Sequence, residues 1–69
     1  MYKYEMIIYW SDVDNLFIVE VPELPGCMSD GVSYEDVIRN VEIAISAWIE
    51  TAKSLGREIP EPKGRLIYA

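Results

Sequence analysis

Residues 2–10 alternate. Tyr2, Tyr4, Met6, Ile8 and Trp10 are all apolar or aromatic, whereas Lys3, Glu5, Ile7 and Tyr9 are mixed. A period of two with one uniformly apolar side predicts a strand with one buried face. Residues 11–15 (Ser-Asp-Val-Asp-Asn) are rich in side chains that bond their own backbone, and predict a turn. Residues 16–22 predict a second strand, with Phe17, Val19 and Val21 on one face and Leu16, Ile18 and Glu20 on the other. The short connection makes the pair an antiparallel hairpin. Pro22 and Pro25 lack amide donors and end the second strand. Residues 23–26 are expected as a tight turn. Residues 27–30 then predict a short third strand, broken by Gly31.

The period changes after Ser33. Ser33 is the expected N-cap, and Asp36 stands at the third helical position in place of the usual capping-box glutamate. Glu35 and Asp36 suit the positive end of a helix dipole. Val37, Val41, Ala44, Ile45, Trp48, Ala52 and Leu55 recur at steps of three and four, which predicts a helix over about 34–55 with one apolar stripe. Lys53 in the last turn and Gly56 just beyond fit a helix stop. Pro60 and Pro62 make residues 57–64 an extended connector. The chain ends Arg65-Leu-Ile-Tyr-Ala69, and this largely apolar tip is expected either as a short fourth strand over 65–68 or as a frayed terminus.

The order β-β-β-α-β implies an α+β fold. A three-stranded antiparallel sheet is covered on one face by one long helix, because neither element can bury its apolar side alone. A short C-terminal strand over 65–68 completes it if that end is ordered. If that strand joins the sheet parallel to the first, the crossover is right-handed. Residues 1–69 form one domain: 69 residues is under half an average domain. A chain this small needs a dense core or self-association.

Composition narrows the function. Six basic against twelve acidic side chains give a net charge of −6, which repels phosphate backbones and disfavours direct nucleic-acid binding. The charge is uneven. Residues 1–50 hold two bases against ten acids, net −8, and residues 51–69 hold four bases (Lys53, Arg57, Lys63, Arg65) against two acids, net +2. An acidic body suits a basic partner. The absence of histidine removes the commonest general base and metal ligand. The single cysteine, Cys27, forms no intrachain disulfide, which fits a reducing cytoplasm. No apolar run reaches the ~18 residues of a membrane span, and no signal peptide is expected.

The chemistry-bearing candidates are weak. Glu20 sits mid-strand among apolar residues, and is expected on the open face of the sheet or at an oligomer contact. A two-metal nuclease needs converging carboxylates, and no spacing requires Glu20, Asp36 and Glu42 to meet. Asp12-Val-Asp-Asn15 lacks the rest of a calcium loop. Cys27 has no histidine to activate it. No catalytic residue, cofactor or metal site is expected. Ile38, Ile45 and Ile49 widen the apolar side of the helix beyond one core, and Ile7 and Tyr9 add an apolar odd pair to the first strand. These five are the expected oligomer contacts of a homodimer or homotetramer.

The whole pattern resembles a known family. Residues 20–27, Glu-Val-Pro-Glu-Leu-Pro-Gly-Cys, look like the "E-x-P-D-L-P-G-C" signature of the HicB-like antitoxins, with Glu23 where aspartate is usual. Ser33-Tyr-Glu-Asp-Val37 is similar to their "S/T-x-E-E-A" helix start, with Asp36 and Val37 as departures. Trp48 stands where they often have Trp, and Ile59-Pro-Glu-Pro62 resembles their "I-P-x-P" exit. The resemblance spans residues 2–62. It implies a partial ribonuclease H-like fold and a partner, a small basic HicA-like toxin that cleaves mRNA. The expected partner-binding surface is acidic: Glu20, Glu23, Asp30, Glu35 and Asp36. Fuller members carry a C-terminal DNA-binding segment. Only seven residues follow Pro62 here, so DNA binding by this chain is not expected. The alternative is an orphan self-assembling module, scaffold or regulator, without a toxin. An enzyme related to ribonuclease H is the least favoured reading, since the resemblance carries no activity.

Overall fold

The computed structural model describes residues 2–62. The expected strand at 65–68 lies outside the described residues. Three strands, β1 (Ile7–Ser11), β2 (Leu16–Glu20) and β3 (Met28–Gly31), are followed by one helix, α1 (Tyr34–Ser54). The strands pair antiparallel in the order β1-β2-β3, as the alternation predicts.

The first strand is shorter than the expected 2–10. In the β1–β2 ladder Ile7 faces Glu20 and Ile8 faces Val19. Continued backwards, that register sets Glu5 against Pro22, which has no amide to give. The ladder stops there. The Glu5 amide instead donates to the Glu23 carboxylate Oε1 at 3.0 Å. The pattern of residues 2–6 still reports burial. Tyr4 is buried, and Tyr2, Met6 and Ile8 pack against the core. Trp10, at the far end, remains 45% exposed, with its ring edge against Phe17 at 5.0 Å.

The β1–β2 turn has Asn15 in the left-handed region, φ 56°, where asparagine is tolerated. Asp12 Oδ1 accepts from Trp10 Nε1 at 2.8 Å, and Ser11 Oγ accepts from the Asp14 amide at 3.3 Å. The second turn is more than a reversal. Val21 N donates to Cys27 O, Leu24 N to Val21 O, and Cys27 N to Leu24 O, all near 3.0 Å. This bonding shortens the second strand from the expected 16–22. It also directs Leu24 inward, where it is fully buried.

The third strand runs through Gly31 rather than ending before it. A Cβ at Gly31 would stand 2.7 Å from the Val37 backbone nitrogen and 2.9 Å from Asp36 Cβ. Glycine is there because the first turn of α1 presses on the strand.

Ser33 caps the helix from an extended backbone, and its Oγ accepts from the Asp36 amide at 3.1 Å. At the other end Arg57 N donates to Ala52 O and Gly56 N to Lys53 O, with Gly56 at φ 70°. This is the paired bonding of a Schellman stop. The helix ends at Ser54, with Leu55 as the cap. Leu55 is 63% exposed and leaves the expected core stripe. Twenty-one residues make a helix of about 31 Å, nearly twice a five-residue strand. Trp48 Nε1 ties the helix to the second turn by donating to Pro25 O at 2.9 Å, and Tyr4 Oη holds the segment after the helix by donating to Pro60 O at 2.6 Å.

The core is Tyr4, Val19, Val21, Leu24, Cys27, Val37, Val41 and Ile45. It lies between α1 and one face of the sheet. Among the described residues no helix is long and apolar enough to cross a membrane.

Candidate functional site: the uncovered sheet face

The register divides the strand residues between two faces. Ile8, Trp10, Phe17, Val19, Ser29 and Gly31 point toward the helix side. Ile7, Tyr9, Leu16, Ile18, Glu20, Met28 and Asp30 point away. No described element packs on that second face. Ile7 is 46%, Tyr9 43% and Met28 52% exposed.

Across the strands the second face reads in rows. One row is Ile7, Glu20, Met28, and the next is Tyr9, Ile18, Asp30. Glu20 therefore sits on the middle strand with an apolar neighbour on each side. Tyr9 Oη donates to Glu20 Oε2 at 2.8 Å, along the diagonal of the ladder. That bond, more than burial or the nearby charges of Glu20 and Asp14, holds the Tyr9 hydroxyl above its ordinary pKa. None of the three strands contains lysine or arginine. Among the described bases, Arg39 and Lys53 lie on α1, Lys3 precedes β1 and Arg57 follows the helix.

The five acidic candidates do not form one surface. Glu20 and Asp30 share the uncovered face, with the Asp30 carbonyl accepting from Asn40 Nδ2 at 2.8 Å. Glu35 and Asp36 start the helix, on the other side of the sheet, where Asp36 pairs with Arg39 at 3.0 Å. Glu23 lies in the turn and holds the Glu5 amide.

The five apolar candidates divide too. Ile7 and Tyr9 lie on the uncovered face. Ile45 is completely buried in its own core and has no surface for a second copy. Ile38 and Ile49 pack against the flank of that core. Among the described residues α1 is the one element packed on the sheet, and its apolar side is correspondingly wide. Met28 belongs to the uncovered face and has no signal in its own strand pattern, and Ile18, which the alternation sets on the face of Glu20, joins it there without having been singled out as a contact. The signal for Ile18 was present: the short hairpin turn places Ile18 beside Tyr9.

Glu20, Asp36 and Glu42 do not converge, since Glu20 is on the uncovered face and the other two are on the helix. Among the described residues no three acidic or sulfur side chains group as metal ligands would. Cys27 is buried, and burial pushes its thiol pKa up, so it stays protonated.

The described residues thus form a small α+β module with one sheet face packed under the helix and the other, which carries Glu20 and Asp30, without a described cover. The chain matches the family described as "HicB_like antitoxin of bacterial toxin-antitoxin system" over residues 4–66, and it belongs to that family. It is 40% identical over 58 residues to a UPF0150 protein of Thermoplasma acidophilum, covering 84% of this chain and 83% of that one. It is 30% identical over 58 residues to a UPF0150 protein of Synechocystis, covering 84% and 78%. A third UPF0150 protein, of Archaeoglobus fulgidus, is 33% identical over 49 residues, covering 71% of each. No solved structure matches the chain significantly.

Proposed function

We propose that this protein neutralises a small basic HicA-like toxin in the cytoplasm by binding it and covering the surface that cleaves mRNA. Membership of an antitoxin family over residues 4–66 carries this reading. The net charge of −6 supports it, because opposite potentials speed and orient docking on a basic protein. The same charge keeps the antitoxin off the RNA itself. The protein acts by occupancy, without catalysis, and binds through acidic groups set among apolar ones.

The test uses the HicA-like toxin encoded in the same genome. Purified toxin is assayed for mRNA cleavage while this protein is titrated in. Cleavage is expected to fall to background at a fixed stoichiometric ratio. A genome encoding no such protein, or cleavage unchanged at excess, would contradict the proposal.

A further inference from the structure

We infer that the uncovered face of the β1–β2–β3 sheet is the surface that meets the toxin, with Glu20 as the anchor for one cationic side chain of that partner. The inference rests on the toxin-neutralising reading and adds the place and chemistry of contact. Ile7, Tyr9, Ile18 and Met28 make a contiguous apolar ground on which a protein can pack. Glu20 is the last residue of the middle strand, in the end row of the ladder, with Ile7 on one side and Met28 on the other.

That position discriminates between occupants. A second copy of this chain laid on the face would bury Glu20 against strands that carry no lysine or arginine. A carboxylate buried without a cation is strongly disfavoured. Asp30, in the next row, would add a second negative charge to each side. A basic protein reverses the sign of both effects. Its arginine or lysine pairs with Glu20 in a site shielded by Ile7 and Met28, and stacks over the ring of Tyr9. Tyr9 already orients Glu20 through the 2.8 Å bond from its hydroxyl. The other acidic groups are less suited. Asp36 is paired with Arg39, and Glu23 holds the Glu5 amide.

The test has two readouts. In the free protein, oxidation of Met28 by hydrogen peroxide is followed by mass spectrometry over a range of protein concentrations. The toxin is then added, and its affinity is measured for wild type, E20Q, E20R, E35R and E50R, each checked for helix content by circular dichroism. Met28 is expected to oxidise rapidly in the free chain at every concentration, and at least tenfold more slowly in the complex. E20R is expected to weaken binding about 100-fold and the milder E20Q about tenfold, as for loss of a desolvated charge partner. E50R, on the exposed side of α1, should stay within about threefold. If E35R abolishes binding and E20R does not, the toxin reading stands and this surface is wrong. If the toxin does not bind wild type, both fail. Slow Met28 oxidation in the free chain also overturns the inference. Protection at high concentration alone would assign the face to a second copy, and protection at every concentration to residues 63–69 of the same chain.

Discussion

The two faces of the sheet use alternate residues of the same strands, yet they are built for different ends. The helix-side face is held at backbone precision. Val19 is fully buried, Gly31 has no side chain because the helix start is in the way, and Leu24 reaches in from the turn. The opposite face is equally apolar in type, with Ile7, Tyr9, Leu16, Ile18 and Met28, but nothing described covers it and the Glu20 carboxylate stands between Ile7 and Met28 in its end row. A surface kept for stability alone has no use for Glu20. A surface kept for solubility alone has no use for the five apolar side chains that share the face with it. The combination is what the proposed toxin contact calls for.

The comparison breaks first on the covered side. Leu24→Ala should cost about 3 kcal/mol, as for a large side chain removed from a closed core. Urea denaturation followed by circular dichroism measures it. A loss under about 1 kcal/mol would mean that the turn does not plug the core. Gly31→Ala should cost about 2 kcal/mol, since the added methyl meets helix backbone and not a movable side chain.

Two polar contacts come next. Ser33→Ala should cost about 1 kcal/mol through the lost cap on the Asp36 amide. Tyr4→Phe should cost a similar amount, about 1 kcal/mol, through the lost bond to Pro60 O. Tyr4 also carries a pH signature. Burial first, then the charges of Glu23 and Glu61 with Tyr2, raise its folded pKa above the ordinary 10.0. A raised folded pKa gives stability that is complete below pH 10 and lost as pH rises through the folded value. Thermal melts between pH 8 and pH 11 should show this decline in wild type and a flatter one in Tyr4→Phe.

The smallest effects belong to the uncovered face. Met28→Gln and Ile7→Thr should change stability by less than about 0.5 kcal/mol, the usual range for surface positions. The same substitutions should weaken toxin binding. A core-sized loss of stability at either position would erase the distinction between the faces.

Much of this was legible in the chain. Period two gave β1 and β2 their faces, because a strand records burial in alternate residues. Ser33 and Gly56 marked the helix ends, because capping and the left-handed stop need those residue types. The start of β1 was not legible from its own residues. Tyr2, Tyr4 and Met6 alternate as a strand does, but the ladder there fails on Pro22, which is opposite Glu5 in register and distant from it in sequence. The inward turn of Leu24 was hidden for the same reason: its burial follows from three backbone bonds, not from periodicity. The candidate site was half legible. Ile7, Tyr9 and Glu20 stood out as apolar or charged residues in the wrong place for a simple core. Their union with Ile18, Met28 and Asp30 depends on register, whereas Glu23, Glu35 and Asp36 share only their charge with Glu20. Ile45 was claimed by both core and surface in the helical pattern, and the core holds it.

The most direct measurement is an amide and side-chain NMR map of the isotope-labelled protein with and without one equivalent of its HicA-like toxin. The account predicts that line shifts and amide protection gather on β1, β2 and β3, centred on Ile7, Tyr9, Ile18, Glu20 and Met28, with α1 nearly unchanged. Changes gathered on α1 around Glu35 and Asp36, with the strands unaltered, would contradict it.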